Sequence, residues 1–172
     1  RWRVLAPRML VLLCLVWCAS SALAATLPAP TIEWLGGVSA DWREARNWSP
    51  ARLPGADDHV LVVSPGKTVS APATVRIASL RVGQSEGLPT RLVTTGDFGV
   101  TLGAEVLPAG GVQLAGGAWT SVALWRVLGE FQWTGGRLYG PLTLESGATG
   151  LVEGGNLRLG SDDPASPASI TN

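Results

Sequence analysis

Apolar side chains recur at fixed offsets around three glycine pairs in the second half of the chain, Gly116-Gly117, Gly135-Gly136 and Gly154-Gly155. The pairs are evenly spaced, since 135 − 116 and 154 − 135 both give 19 residues. Two positions before each pair stand Leu114, Trp133 and Val152, and four before its first glycine stand Val112, Phe131 and Gly150. Two positions after each pair stand Trp119, Leu138 and Leu157. The unit reads apolar-x-apolar-x-Gly-Gly-x-apolar. Its alternation at every second residue is the period of a strand, and its recurrence at one spacing marks a repeat architecture.

These features predict an all-β parallel β-helix, a β-solenoid with coils of about 19 residues, long enough for two or three short strands joined by turns. Stacked coils would set Leu114, Trp133 and Val152 in one interior ladder with neighbours about 4.8 Å apart. The glycines would then lie at a corner, where the chain bends and a positive φ carries no steric cost for a residue without Cβ. The alternative is an antiparallel β-sandwich with the glycine pairs as hairpin turns. A hairpin meander, however, does not require apolar columns to keep register over three units.

Upstream the pattern is looser. Residues 59–63, 74–82, 90–94 and 99–102 read as strands, broken by Ser64-Pro65-Gly66, Ser85-Glu86-Gly87 and Gly96-Asp97. Residues 118–131 come nearest to a helix, but Gly129 ends the run and its tryptophans and β-branched residues favour strand. Residues 161–172 are small, polar and proline-containing, as in a linker or a truncated coil.

The first residues bear on compartment. Arg1, Arg3 and Arg8 precede an apolar run at 9–16, and Ala22-Leu23-Ala24 follows as a cleavage signal, so 1–24 reads as a secretory signal peptide. The apolar run is too short to span a bilayer. Cleavage after Ala24 would leave 172 − 24 = 148 residues, remove Cys14 and Cys18, and leave no membrane span in the mature chain. The 13 basic and 13 acidic residues would become 10 − 13 = −3, with Lys67 the one lysine and His59 the one histidine. Nucleic-acid binding calls for a basic stripe, and none is present.

The segment 34–63 carries a further pattern: Trp34-x-Gly36, then Ser39-x-Asp41-Trp42-x-x-Ala45-x-Asn47-Trp48, then Pro54-x-x-Asp57-x-x-Val60. It resembles the opening segment of large bacterial secreted and surface proteins built as right-handed parallel β-helices, among them adhesin-like and autotransporter passenger proteins. The resemblance implies a right-handed solenoid, an exported location and an adhesive or scaffolding role, and it carries over no catalytic residue. It implies an opening segment and first coil at 25–58, solenoid coils at 59–160 and the linker or truncated coil beyond. Asp41 and Asn47 are expected to cap turns that seat Trp42 and Trp48 over the first coil.

Reactive groups are sparse. Asp57-Asp58 and Asp162-Asp163 are carboxylate pairs, but neighbours in a strand point to opposite faces, and aspartate at such places serves turns. His59 stands alone, too little for a zinc site, and is expected as an exposed residue at a strand start. Asn47-Trp48-Ser49 fits the N-glycosylation pattern, although Pro50 follows and the signal context is bacterial. If Leu138 points inward, Arg137 and Tyr139 point outward, and with them Gln113, Gln132, Glu153, Asn156 and Arg158, as one flat polar face. Arg137, Tyr139 and Arg158 are the candidate binding residues, with polysaccharide or cell-surface components as partners. Hydrolases and lyases need carboxylates or a basic residue converging in a groove; only scattered acids occur here. The sequence therefore predicts no enzyme, no metal and no cofactor, but an adhesive or scaffolding protein that is the N-terminal part of a larger chain. The alternative is the non-catalytic N-terminal coils of a carbohydrate-active β-helix enzyme, a polysaccharide lyase or hydrolase.

Overall fold

Short strands with alternating buried and half-exposed side chains build the protein, whose computed structural model describes residues 26–154, 158–160 and 169–172. In chain order the strands are β1 Ile32–Trp34, β2 Trp48–Ser49, β3 His59–Val62, β4 Thr68–Ala71, β5 Val75–Val82, β6 Thr90–Thr94, β7 Phe98–Val106 and β8 Gly110–Leu114. They continue as β9 Ala118–Ser121, β10 Trp125–Val127, β11 Glu130–Trp133, β12 Arg137–Tyr139, β13 Pro141–Leu144, β14 Thr149–Val152, β15 Arg158–Gly160 and β16 Ser169–Thr171. One 3-10 turn, Ala45–Asn47, precedes β2, and no α-helix occurs among the described residues. The run 118–131 resolves into β9, β10 and the start of β11.

Every strand pair is parallel except β1 with β2. Parallel neighbours need crossover connections, so the chain is a parallel β-solenoid and not an antiparallel sandwich. Three walls enclose the core. Wall A stacks β1, β3, the second half of β5, the second half of β7, β10, β13 and β16. Wall B stacks β4, β6, β8, β11 and β14. Wall C stacks the first halves of β5 and β7 with β9, β12 and β15. The chain visits A, B and C in turn. Strands β5 and β7 join walls C and A because each bends without breaking, β5 at the register shift between Ile77 and Ser79 and β7 near Gly103 at φ +116°. The predicted strand at 99–102 is thus the middle of a longer one.

The expected ladder is present on wall B, where Trp133 lies in register between Leu114 and Val152, and Phe131 between Val112 and Gly150. Pairing of Gly111 with Glu130 and of Glu130 with Thr149 keeps the step at 19 residues. Wall C departs from it. Trp119 pairs with Leu138, but Leu138 pairs with Leu159, so that step is 159 − 138 = 21 and the column does not continue through Leu157, which lies outside the described residues. Register is held within each wall by inward side chains, while corner loops absorb extra residues. At the far end β16 pairs with β13, so 169–171 begins a further coil.

Wall A contributes the most regular column, in which Trp34, Val62, Val82, Val106, Val127 and Leu144 follow one another in register. The four valines are buried, and branched side chains suit a pleated inward surface. Aromatic rings fill the wider part of the core: Trp119 stacks on Trp125 with ring centroids 4.4 Å apart, and Phe98 lies edge-on to Trp42 at 5.6 Å. The corner after wall B is a column of bare backbone. Gly117 has φ +68°, and a Cβ on it would lie 2.3 Å from the carbonyl group of Gly96; Gly136 has φ +84° and the same clash, at 2.4 Å, with Gly117 O. A Cβ on Gly116 or Gly135 would lie 2.9 or 2.6 Å from the carbonyl oxygens of Thr95 and Ala115 respectively. Gly154 has φ +143°, while Gly155 lies outside the described residues. Residues 1–25, which include the expected signal peptide at 1–24, and residues 161–168 also lie outside them.

Candidate functional site

The tryptophan motif closes the β1 end of the core. Asn47 is fully buried and ties the loop: its Oδ1 accepts from the amides of Val38 and Ser39, and its Nδ2 donates to Ser39 Oγ and Asp41 O. Asp41 Oδ1 accepts from Arg43 N. So held, Trp42 N donates to Ser70 O and Ser70 N to Ala40 O, which places this loop under wall B as its lowest rung. Trp48 packs edge-on against both Trp34 and Trp42, at 4.9 and 4.6 Å, and its Nε1 donates to Trp42 O. Edge-to-face packing suits the charge distribution of aromatic rings, and the three indoles form one lid. On its outer surface Asp41 pairs with Arg43 and Glu44 with Arg46, whose hydrogen bonds bring the Glu44 carboxyl down to about 2.

Asp57 and Asp58 diverge, the first exposed and the second buried. Asp58 closes its own turn by accepting from Gly55 N, and its oxygens also accept from Arg52 Nη1 and Nη2, at 2.6 and 2.7 Å, and from Thr31 Oγ1. The Arg52 guanidinium, foremost among these donors, holds the Asp58 carboxyl well below its usual range against the opposing effect of burial. Asp58 is therefore a structural clamp joining the segment before β1 to the loop before β3. His59 starts β3 as expected but is half-buried, its Nδ1 2.9 Å from Ser79 Oγ.

Outer surfaces of the three walls differ in how their charges are matched. On wall A, Arg81, Glu105, Arg126 and Thr143 occupy successive rungs of one column, and Glu145 lies just past the end of β13. Arg81 pairs with Glu105 at 3.3 Å, and Arg126 bridges Glu105 and Glu145 at 3.4 and 3.0 Å. On wall B, Arg91 reaches past Gly111 to Glu130 at 2.6 Å and to Gln132 Oε1, while Gln132 Nε2 donates to Glu130. A side chain at position 111 would crowd that path, since a Cβ there would sit 3.3 Å from Glu130 Oε2.

Wall C gathers the candidate binding residues. Arg137 and Tyr139 on β12 stand in register with Arg158 and Gly160 on β15. The Tyr139 ring lies across Gly160, where an added Cβ would come within 2.9 Å of its Cε1. Asp97, Gly117, Ala118, Gly136, Arg137 and Arg158 line an open groove of about 480 Å³ along this wall. The flat polar face expected from the sequence is divided: Gln113 and Gln132 belong to wall B, around the glycine corner from Arg137, Tyr139 and Arg158. Glu153 follows β14 on the wall B side, and Asn156 lies outside the described residues. Sequence reasoning missed Arg76, whose column on wall C runs through Gly99 and Thr120 to Tyr139. Its guanidinium lies over Gly99, with Thr120 Oγ1 beside it. The usable signal was an arginine at an outward position of a strand with no acid at the same offset in the next coil.

No protein-family model, no curated protein and no solved structure matches this chain. No helix among the described residues is long and apolar enough to cross a membrane.

Proposed function

We propose that the chain is the N-terminal, non-catalytic part of a larger secreted or cell-surface β-solenoid protein with an adhesive or scaffolding role, similar to bacterial adhesin-like and autotransporter passenger proteins. Residues 1–24 act as the export signal. The observation that carries the reading is the distribution of acids. Asp41, Glu44, Asp58, Glu105, Glu130 and Glu145 are all engaged by arginines within the molecule. Glu33, Asp57, Glu86, Asp97 and Glu153, the other acids among the described residues, sit on separate segments of the chain. General acid and base groups must reach one reacting bond together, and this arrangement favours a surface that holds a partner over a site that transforms one. Wall C, with Arg137, Tyr139 and Arg158 outward, is the surface offered to polysaccharide or cell-surface components.

Two measurements test the proposal. Expression in a bacterial host should yield an exported product whose mass begins at Ala25; retention of residues 1–24 in a membrane fraction contradicts the export signal. The exported protein should pull down with insoluble polysaccharides or whole cells and release neither reducing sugar nor unsaturated product from them. Turnover abolished by Asp57→Asn would replace the adhesive reading with an enzymatic one.

A further inference from the structure

We infer that wall C binds an anionic polysaccharide, a chain of sugars bearing carboxylate or sulfate groups, with Arg137, Arg158 and Arg76 as charge partners and Tyr139 as a platform for a sugar ring. The inference rests on the surface-binding role proposed above and names its ligand class. Among the described residues Arg43, Arg46, Arg52, Arg81, Arg91 and Arg126 each pair with a carboxylate. Arg76, Arg137 and Arg158 have no carboxylate partner among the described residues, and all three are exposed on the outer surface of wall C.

Their placement runs against the rule kept elsewhere in the molecule. On wall A successive rungs alternate in sign, Arg81 to Glu105 to Arg126. On wall C Arg137 and Arg158 occupy adjacent rungs of one column, a backbone separation of about 4.8 Å. Like charges directly opposite one another destabilise a sheet. An anion lying between the two guanidiniums removes that repulsion, and planar guanidinium forks match carboxylate and sulfate oxygens.

The surroundings favour a polymer of sugars over other anions. The groove is open and runs across stacked strands, lined by bare backbone at Gly117 and Gly136 and by one acid, Asp97, whose Oδ1 accepts from Ala118 N, unlike the enclosed clefts that take small molecules. Tyr139 stands two residues beyond Arg137 on the outer face of β12, held across Gly160; an aromatic ring with a polar tip presents an apolar body to a ligand that is partly apolar and partly wet. Nucleic acid would need a continuous basic stripe, and the chain carries 13 basic against 13 acidic residues.

The test uses the exported full chain in affinity electrophoresis and titration calorimetry against polygalacturonate, sulfated dextran, neutral dextran and duplex DNA. Binding to polygalacturonate or sulfated dextran, weakened by added salt and absent with neutral dextran, is expected, and the two acidic arms tell carboxylate from sulfate. Arg137→Ala and Arg158→Ala should each weaken it about tenfold. Tyr139→Ala should weaken it while Tyr139→Phe preserves it, and Arg126→Ala on wall A should leave it unchanged. These positions are exposed or half-exposed, so unfolding curves matching the parent verify the fold. Equal binding of neutral and acidic dextrans, indifference to the Arg137→Ala, Arg158→Ala double variant, or preference for DNA overturns the inference while leaving a surface-binding role standing. Absence of binding to every polysaccharide and to whole cells defeats that role as well.

Discussion

At the β1 end the core is covered by Trp34, Trp42 and Trp48, whereas at the β14 and β15 end the columns of walls B and C run out into solvent. Trp48 is 1% exposed, while Val152 and Leu159, which continue the columns of Trp133 and Leu138, are 55% and 49% exposed. The first end is also closed along its strand edge, since β2 folds back antiparallel on β1 and the Asp41 loop covers β4. The difference teaches that an inward side chain in a solenoid contributes in proportion to the layers on both sides of it. Identical positions in the repeat are then unequal in energy. A valine mid-column removes nearly all its apolar surface from water, and one on the last rung removes about half.

The largest expected effect sets the two ends against each other. Trp48→Ala should lower stability by about 3 to 5 kcal/mol, as for a fully buried aromatic, whereas Val152→Ala should stay within about 0.5 kcal/mol. Urea unfolding of both variants decides, and similar losses would break the comparison. Next come two glycines with positive φ. Gly117→Ala meets backbone at 2.3 Å and should cost more than about 2 kcal/mol, while Gly147→Ala, with φ +90° but nothing within 4 Å, should cost about 1. Equal costs would mean that the stacked corner is not closed as described.

Asp58 sharpens the account of the sealed end. Its carboxyl is depressed in the folded protein, so as pH falls the unfolded chain takes up the proton first, near the ordinary aspartate value of about 4. The clamp thus contributes fully above about pH 4 and is lost progressively as the pH drops toward the folded value. Asp58→Asn should cost about 2 kcal/mol at neutral pH and flatten the acid limb of stability against pH. An unchanged acid limb would remove Asp58 from that role. A small effect is expected on wall B, where Gln132→Ala should cost about 0.5 to 1 kcal/mol, since Gln132 joins the half-exposed Arg91 and Glu130 pair.

Wall B and its corner were legible because each rung there repeats the same inward residues and the same glycine, which only close backbone contact demands. The step of 21 residues to Leu159 was not, because a corner loop gains residues without altering the alternation on either side. The third wall was hidden for a related reason: β5 and β7 turn a corner within one strand and show no break. Asp41 and Asn47 were readable as turn formers, since their side chains act within a few residues. Thr31 with Asp58, and Arg91 with Glu130, join residues distant in sequence that only the stacking brings together. Of the binding candidates, Arg137, Tyr139 and Arg158 could be found from alternation alone, while Arg76 needed the knowledge that 76 and 139 share a wall.

Native-state hydrogen exchange tests most directly whether the column is finished at one end and loose at the other. Amides exchange through local opening where few buried contacts hold them and through global unfolding where the core is complete. The amides of Trp42 and Gly83, bonded to Ser70 O and Val62 O, should exchange only with the free energy of global unfolding. Those of Glu153 and Arg158, bonded to Trp133 O and Gly136 O, should exchange sooner, through local opening that leaves the rest of the column folded. Equal or greater protection at Glu153 and Arg158 would contradict the account.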